Sequence, residues 1–363
     1  MRNLVISLTE LGWNSSCQEH FAAFKDLGFE AARVIQEHKE AYLLFAEGRE
    51  LSGEVSGRFR HQAQSKGDFP AVGDWVAVEG RPGETKATIH AVLPRRSAFT
   101  RTAAGGRTEA QVVAANVDAA FLVSGLDGDF NVRRIERYLT LAWDSGSSPV
   151  VVLNKSDLCA DVEARVDEVE RIAIGVPVLP ISAVEGRGLD SLRDHVGPGK
   201  TGVFLGSSGV GKSTLINALL GTDRMKVRAV RQDDSHGRHT TTHRELIVLP
   251  GGGVVIDTPG MRELQLWSDE AGLKQAFDDI ETLAEQCRFR DCAHRSEPGC
   301  AIRRAIKLGT LDARRYESYL KLNRELRYLD ARQDQKERLL EKARWKKLSA
   351  GRRKRNRHAR PWR

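Results

Sequence analysis

Between Ala31 and Leu93 apolar and polar residues alternate in short runs, at Ala31–Gln36, Ala41–Ala46, Leu51–Arg58, Trp75–Glu79 and Ala87–Leu93. Gly48, Gly67, Gly73, Gly80 and the Pro82-Gly83 pair punctuate them. A period of two bounded by turn residues predicts β-strands, and five short strands in about sixty residues predict a small OB-like barrel. Ahead of it, Phe21, Phe24 and Leu27 recur at helical spacing and predict one short helix.

From about Ala110 the period changes. Strand-like runs at Val117–Ser124, Val150–Leu153, Val178–Ile181, Gly202–Leu205, Leu246–Leu249 and Gly253–Ile256 are interleaved with helical stretches at Val132–Trp143, Val162–Ile174 and Ser213–Leu220. On the first of these helices Ile135, Leu139 and Ala142 share one face. Alternation of this kind predicts a parallel sheet with helices on both faces. Beyond about Leu273 the strand pattern stops, and Leu308 to Leu348 predicts one or two long charged helices before an arginine-rich end. The chain therefore divides into an N-terminal extension (1–30), a barrel (31–100), an α/β domain (105–268), a helical domain (269–322) and a basic helix with its tail (323–363).

Charge adds one feature to this plan. The whole chain has 57 Lys+Arg against 49 Asp+Glu, yet residues 323–363 alone hold sixteen basic and five acidic residues, a net +11. The remainder is slightly acidic, so the polyanion partner implied by the charge belongs to the C-terminal segment. No run approaches the roughly 18–20 apolar residues of a membrane span. Polar and acidic residues also interrupt Met1 to Trp13, which makes it a poor signal peptide. A cytoplasmic protein without membrane attachment is the expectation.

The chemistry lies in the α/β domain. Gly206-Ser207-Ser208-Gly209-Val210-Gly211-Lys212-Ser213, with Thr214 after it, fits G-x-x-x-x-G-K-[ST] between a strand and a helix. Such a loop turns backbone N–H groups inward around a phosphate. Lys212 then bridges the β- and γ-phosphates, and the Ser213 hydroxyl reaches Mg²⁺. Asn154-Lys155-Ser156-Asp157 fits N-K-x-D, whose aspartate accepts from the ring N–H and exocyclic amine of guanine; adenine presents no such donor pair. Ser182-Ala183, after the next strand, can offer a backbone N–H to the guanine carbonyl oxygen. Asp257-Thr258-Pro259-Gly260 fits D-x-x-G, with Asp257 on the Mg²⁺ side and the Gly260 N–H toward the γ-phosphate. One threonine of Thr240-Thr241-Thr242, between Ser213 and Asp257, should contact Mg²⁺ as the switch residue; Thr241 is a candidate, and the sequence leaves the choice among the three open. GTP or GDP with Mg²⁺ is thus the expected ligand.

The order of these parts is unusual. Ras-like GTPases run phosphate loop, switch threonine, D-x-x-G, N-K-x-D, S-A. This chain starts with N-K-x-D and ends with D-x-x-G, a circular permutation that leaves the switch joined directly to whatever follows it. With Ala71-Val72-Gly73-Asp74-Trp75-Val76, Leu93-Pro94-Arg95-Arg96-Ser97, Ala114-Ala115-Asn116-Val117-Asp118 and Gly237-Arg238-His239-Thr240-Thr241-Thr242, the chain resembles the circularly permuted, small-subunit-dependent GTPases of the RsgA (YjeQ) type along nearly its whole length. That resemblance implies an OB barrel, a permuted GTPase core, a C-terminal zinc domain and a role in late maturation of the small ribosomal subunit. It makes the subunit and its rRNA the expected partners of a monomer.

Met261 follows the D-x-x-G motif where Ras-like enzymes keep a water-orienting glutamine. A thioether cannot orient water, so intrinsic hydrolysis should be slow. His239, at a position where the resembled family keeps a histidine, is the candidate water-positioner. A nucleotide-switched rRNA-binding module with incidental hydrolysis is the alternative reading.

Cys287-x₄-Cys292-x-His294-x₅-Cys300 supplies three thiolates and one imidazole, a donor set for a four-coordinate structural zinc. The segment 342–363 holds eleven Lys+Arg, no acidic residue, and Trp345 and Trp362, a composition suited to phosphate contact and stacking on unpaired RNA.

Overall fold

The computed structural model describes residues 6–38, 41–80, 83–102, 110–222, 244–257, 270–329 and 331. Helix α1 (Ser15–Lys25) starts at Asn14, whose side chain accepts from the Cys17 N–H at 3.0 Å. It buries Cys17 and Phe21, and the Trp13 ring packs edge-on against Trp75 of the barrel at 4.9 Å. Leu27 lies beyond the helix end and is 73% exposed, so it does not continue the predicted apolar face.

Strands β1 (Glu30–Glu37), β2 (Tyr42–Ala46), β3 (Arg49–Val55), β4 (Trp75–Gly80) and β5 (Lys86–Val92) pair in the order β1-β2-β3-β5-β4, and β4 returns to β1. The sheet therefore closes on itself around Ala32, Val34, Leu44, Leu51, Val76, Val78 and Ile89. The third strand stops earlier than its pattern predicted. Ser56 accepts from the Phe59 N–H at 3.1 Å and caps a short helix, α2 (Gly57–Gln62), in place of strand as far as Arg58.

A hairpin of β6 (Ala98–Thr102) and β7 (Ala110–Ala115), missed from sequence, leads out of the barrel. Then come β8 (Ala119–Gly125), α3 (Val132–Asp144), β9 (Ser148–Asn154), α4 (Val162–Glu170), β10 (Val178–Pro180), α5 (Leu189–Asp194), β11 (Thr201–Gly206), α6 (Lys212–Leu220), β12 (Glu245–Val248) and β13 (Val254–Asp257). They form a sheet ordered β10-β9-β8-β11-β13-β12. Along β8, Ala120 and Leu122 pack with Ile135 and Leu139 of α3, whereas Phe121 and Val123 pack with Phe204 and Leu192 on the other side. Both faces are covered, so the strands read as unbroken apolar runs.

Two details depart from the predicted pattern. β12 runs antiparallel to β13, because the turn over 249–253 joins them too tightly for a crossover; Gly252 and Gly253 there have φ of 85° and 76°. α4 ends at Glu170, and Ile174 is 69% exposed beyond it.

After residue 269 the described elements are helical: α7 (Glu270–Ala276), α8 (Asp278–Glu285), α9 (Ala301–Leu308) and α10 (313–329). Gly309, at φ 74°, ends α9, so no single helix runs on from Leu308. Residues 332–363, including the basic tail, lie outside the described residues.

The barrel meets the nucleotide sheet at a buried junction. Gly73 has φ 92°, and its carbonyl accepts from Arg33 Nε at 3.3 Å and Asn116 Nδ2 at 3.1 Å. Arg33 is 1% exposed, lies over the Trp75 ring and donates to Thr201 Oγ1 on β11 at 2.8 Å. Burial lowers its pKa to about 10, against the opposing field of Asp118. A Cβ on Gly73 would sit 2.2 Å from the Ala115 carbonyl oxygen. Gly73→Ala should therefore cost about 3 kcal/mol or more through strain and clash. Gly83→Ala, at φ 76° with nothing within 4 Å, should cost only about 1 kcal/mol. Thermal unfolding of the two variants checks the contrast, and equal losses would refute a packing role for Gly73.

Candidate nucleotide site and metal cluster

The phosphate loop joins β11 to α6. Gly206, Gly209 and Gly211 have φ of 158°, 80° and 95°. A Cβ at Gly206 would lie 2.5 Å from the Val123 carbonyl oxygen, and one at Gly211 2.3 Å from Asn154 Nδ2. The glycines are thus demanded by the neighbouring strand and by the N-K-x-D motif as well as by the turn. Val210 is buried and anchors the loop, Ser208 and Gly209 are exposed, and Ser213 and Thr214 sit half-buried in the first turn of α6. Lys212 curls back over its own loop, its ammonium donating to the carbonyls of Gly206 at 2.9 Å and Ser207 at 2.7 Å. A helix N-terminus with inward N–H groups and one ammonium is a ready anion site.

Asn154 closes the other side. It is 2% exposed; its Nδ2 donates to the Val210 carbonyl at 2.8 Å, and its Oδ1 accepts from the Ala183 N–H at 3.2 Å. One amide thus ties the phosphate loop to the Ser182-Ala183 loop. Ser156 opens a short 3₁₀ turn, and its N–H donates to the Ile181 carbonyl at 3.1 Å. Ser182 is fully buried, and its hydroxyl donates to Asp157 Oδ1 at 2.6 Å, fixing that carboxylate. Lys155 takes a left-handed φ of 63° and reaches Asp127 Oδ2 at 2.5 Å. Burial raises the Asp127 carboxyl, but the Lys155 ammonium and the Asp129 N–H outweigh it and hold it below the usual carboxylate range.

Asp257 ends β13, next to the strand that carries the phosphate loop. Burial pushes its pKa up to about 6, opposed by Lys212 and reinforced by Glu245. The C-terminal ends of β13, β11, β8, β9 and β10, all parallel, thus present Asp257, the phosphate loop, the Asp127 loop, N-K-x-D and Ser182 along one edge of the sheet. That is the edge where open α/β sheets bind ligands. His239, Thr240, Thr241, Thr242, Gly260 and Met261 lie outside the described residues.

In the C-terminal region Cys287, Cys292, His294 and Cys300 bring their ligand atoms within 4.8 Å of one another. His294 Nδ1 lies 3.6 Å from Cys287 Sγ and 3.5 Å from Cys300 Sγ. Zinc–ligand lengths at a tetrahedral angle require an S···N separation of about 3.6 Å. The cluster fits that ion. Burial raises the Cys287 thiol, but the N–H groups of Ala301 and Ile302 outweigh it and hold it below its ordinary value. His294, at φ 58°, and Gly299, at φ 78°, supply the turns that fold the loop back.

The chain is 49% identical to a small ribosomal subunit biogenesis GTPase RsgA from Opitutus terrae, over 98% of this chain and all of that one. The chain belongs to the RsgA GTPase family. The RsgA GTPase family model matches residues 92–267. A relative of the same name from Streptomyces avermitilis is 45% identical over 94% of this chain and 92% of its own. Among solved structures, YjeQ from Thermotoga maritima is 31% identical with a TM-score of 0.62, covering 82% of this chain and 98% of that one. YloQ, described as a circularly permuted GTPase, is 25% identical with a TM-score of 0.60, covering 82% and 95%. The permuted motif order is therefore the RsgA family's architecture, with a closed five-stranded barrel before the GTPase domain and a Cys/His cluster after it.

The site contains residues that no motif announced. Asp127 grips Lys155, and Arg134 on α3 donates to Asp129 at 2.6 Å and to the Ser207 hydroxyl of the phosphate loop. Two aspartates within Leu126-Asp127-Gly128-Asp129, directly after an apolar strand, were the available signal. Asn154 itself acts as a tie inside the protein. Asn154→Ala should leave the Val210 carbonyl and the Ala183 N–H without their partner and cost about 2–4 kcal/mol in the absence of any nucleotide. Chemical denaturation of the nucleotide-free protein checks this; unchanged stability would assign Asn154 to ligand contact alone.

Proposed function

We propose that this chain hydrolyses GTP in the late biogenesis of the small ribosomal subunit, binding the subunit and its rRNA and being stimulated by it. The observation that carries the reading is the Asn154 tie. It sets the Asp157 carboxylate, already oriented by Ser182, at a fixed offset from the phosphate loop. In this reading Asp157 accepts from guanine, the Ala183 N–H lies toward the guanine carbonyl oxygen, and Lys155 flanks the base. The loop Gly206–Ser213 and Thr214 hold the phosphates. The RsgA name borne by the relatives supplies the biological context.

Ser213 and Asp257 would hold Mg²⁺, which when bound neutralises charge on the phosphates. Lys212 exchanges its two loop carbonyls for phosphate oxygens, so its charge is stored where it is later needed. Thr241 serves as the switch threonine, and His239 orients the attacking water in place of the missing glutamine. Cys287, Cys292, His294 and Cys300 would hold a structural Zn²⁺, since four protein donors leave no open position for substrate. The basic tail meets rRNA phosphates, and the protein works in the cytoplasm as a monomer.

Met261 favours one competing reading, an rRNA-binding module whose hydrolysis is incidental. GTP turnover titrated with purified small subunits separates the two. The enzyme reading expects stimulation of roughly 10³–10⁵, the scale on which a missing transition-state group is supplied. It also expects His239→Ala to lose most of that stimulation, and a flat titration would sink it. Base selection has its own check. Asp157→Asn replaces one of the two acceptor oxygens with a donating NH2, which opposes one of the guanine donors, and should weaken GTP binding by at least about a hundredfold. Xanthosine triphosphate, which carries a carbonyl in place of the amine, should be weakened far less. Fluorescence titration of both nucleotides reads this out, and parallel losses would remove Asp157 from the base site.

A further inference from the structure

Helix α3 has three working faces. Ile135, Leu139 and Ala142 point into the core. One turn-spaced pair, Arg134 and Tyr138, lies on the side toward the phosphate loop, where Arg134 donates to the Ser207 hydroxyl. The third set, Arg133, Glu136 and Arg137, lies at i, i+3 and i+4 and faces the C-terminal helices.

The contacts of that third face are dense and specific. Glu136, 1% exposed, accepts from Arg133 at 2.6 Å and from Arg315 of α10 at 3.0 Å. Arg315 is 4% exposed, lies over the Phe277 ring, and also donates to Asp279 on α8 at 2.8 and 2.6 Å and to the Ala276 carbonyl at 3.0 Å. Arg137 makes a two-bonded pair with Glu325 at 2.7 Å each, and Arg133 reaches Asp312 at 2.6 Å. Gly272 lets α7 cross α3 so closely that a Cβ would sit 2.7 Å from the Thr140 carbonyl oxygen. A packed, hydrogen-bonded interface of this kind has few intermediate positions, so a small rotation of α3 is felt by the helices docked on it.

We propose that Arg134 is a positioning residue for the nucleotide, and that through α3 it makes nucleotide binding and the docking of the zinc-cluster helices mutually dependent. This rests on reading Gly206–Ser213 as the phosphate loop. The mechanism is local. Ser207 shares its backbone carbonyl with the Lys212 ammonium and its hydroxyl with Arg134, so rearrangement of Lys212 toward a phosphate changes the group that Arg134 holds. Because linkage is reciprocal, loosening the docked helices must weaken nucleotide binding by the factor with which nucleotide strengthens docking. This route is separate from the chain connection that runs from Asp257 into α7.

Hydrogen exchange on the full-length, zinc-loaded chain with and without GDP tests it. In the parent protein GDP should slow exchange across α7 and α10 by about fivefold or more, the lower end of measured couplings. Arg134→Met should abolish that slowing while GDP still protects α6, and Arg134→Lys should restore part of it. Equal slowing in Arg134→Met would overturn the proposal, because the chain connection alone would then suffice. If Arg134→Met no longer binds GDP, the outer face decides. Arg137→Glu should raise exchange in α10 and weaken GDP binding several-fold, and adding Glu325→Arg should recover both. Raised exchange in α10 with unchanged GDP affinity would overturn it. No ribosomal particle enters either measurement, so failure of the biogenesis reading would leave this test intact, and the reverse holds too.

Discussion

The nucleotide site is organised around one buried amide. Asn154 satisfies a carbonyl of the phosphate loop with its nitrogen and an N–H of the Ser182-Ala183 loop with its oxygen. Both partners are backbone groups on loops after β11 and β10, so no side-chain rearrangement elsewhere can replace the tie. Burial makes it demanding, since an unpaired amide in that position forfeits its hydration without return. The permuted chain order becomes tolerable for the same reason. The loops are held by contacts across the sheet edge, and those contacts do not depend on the order in which the chain visits the strands.

The barrel is seated on this core by a second buried polar group. Arg33 spans from the Gly73 carbonyl on the barrel side to Thr201 at the start of β11. The Thr201 N–H in turn donates to Asp118 at 2.8 Å. A guanidinium so fully enclosed is expensive to bury and more expensive to strand by removing a partner. Asn116, at φ 54°, completes the junction by bonding Gly73 and the Arg96 N–H. Small displacements between barrel and GTPase domain would break several such bonds together, which argues for a rigid mount at this point.

Much of this was legible in the residues. Strand positions in the barrel followed from period-two runs, and the phosphate loop, N-K-x-D and Ser182-Ala183 came from motifs whose spacing reflects phosphate and base chemistry. What escaped was set by tertiary contact. Asp127 and Arg134 belong to no spacing rule, and their roles exist only because β8 lies beside β9 and β11. α2 replaced the end of a predicted strand because Ser56 was free to cap it, a local competition that alternation cannot reveal. The antiparallel β12 was obscured because a short apolar run is the same in either direction; the glycine turn before β13 carried the answer. Asn154 was read from its motif as a nucleotide residue, and the fold adds a second task that the motif does not announce, tying the phosphate loop to the Ser182-Ala183 loop.

The pairing of Gln36 on β1 with Glu245 on β12 joins the barrel to the nucleotide sheet as one eleven-stranded surface. An open sheet ordinarily ends in two rows of unsatisfied peptide groups that can template aggregation. Here one end runs into a barrel that has no edge. The other is β10, only three residues long and finished by Pro180, which has no N–H to offer. Among the described residues the eleven-stranded sheet thus has one terminal strand outside the barrel, the short β10.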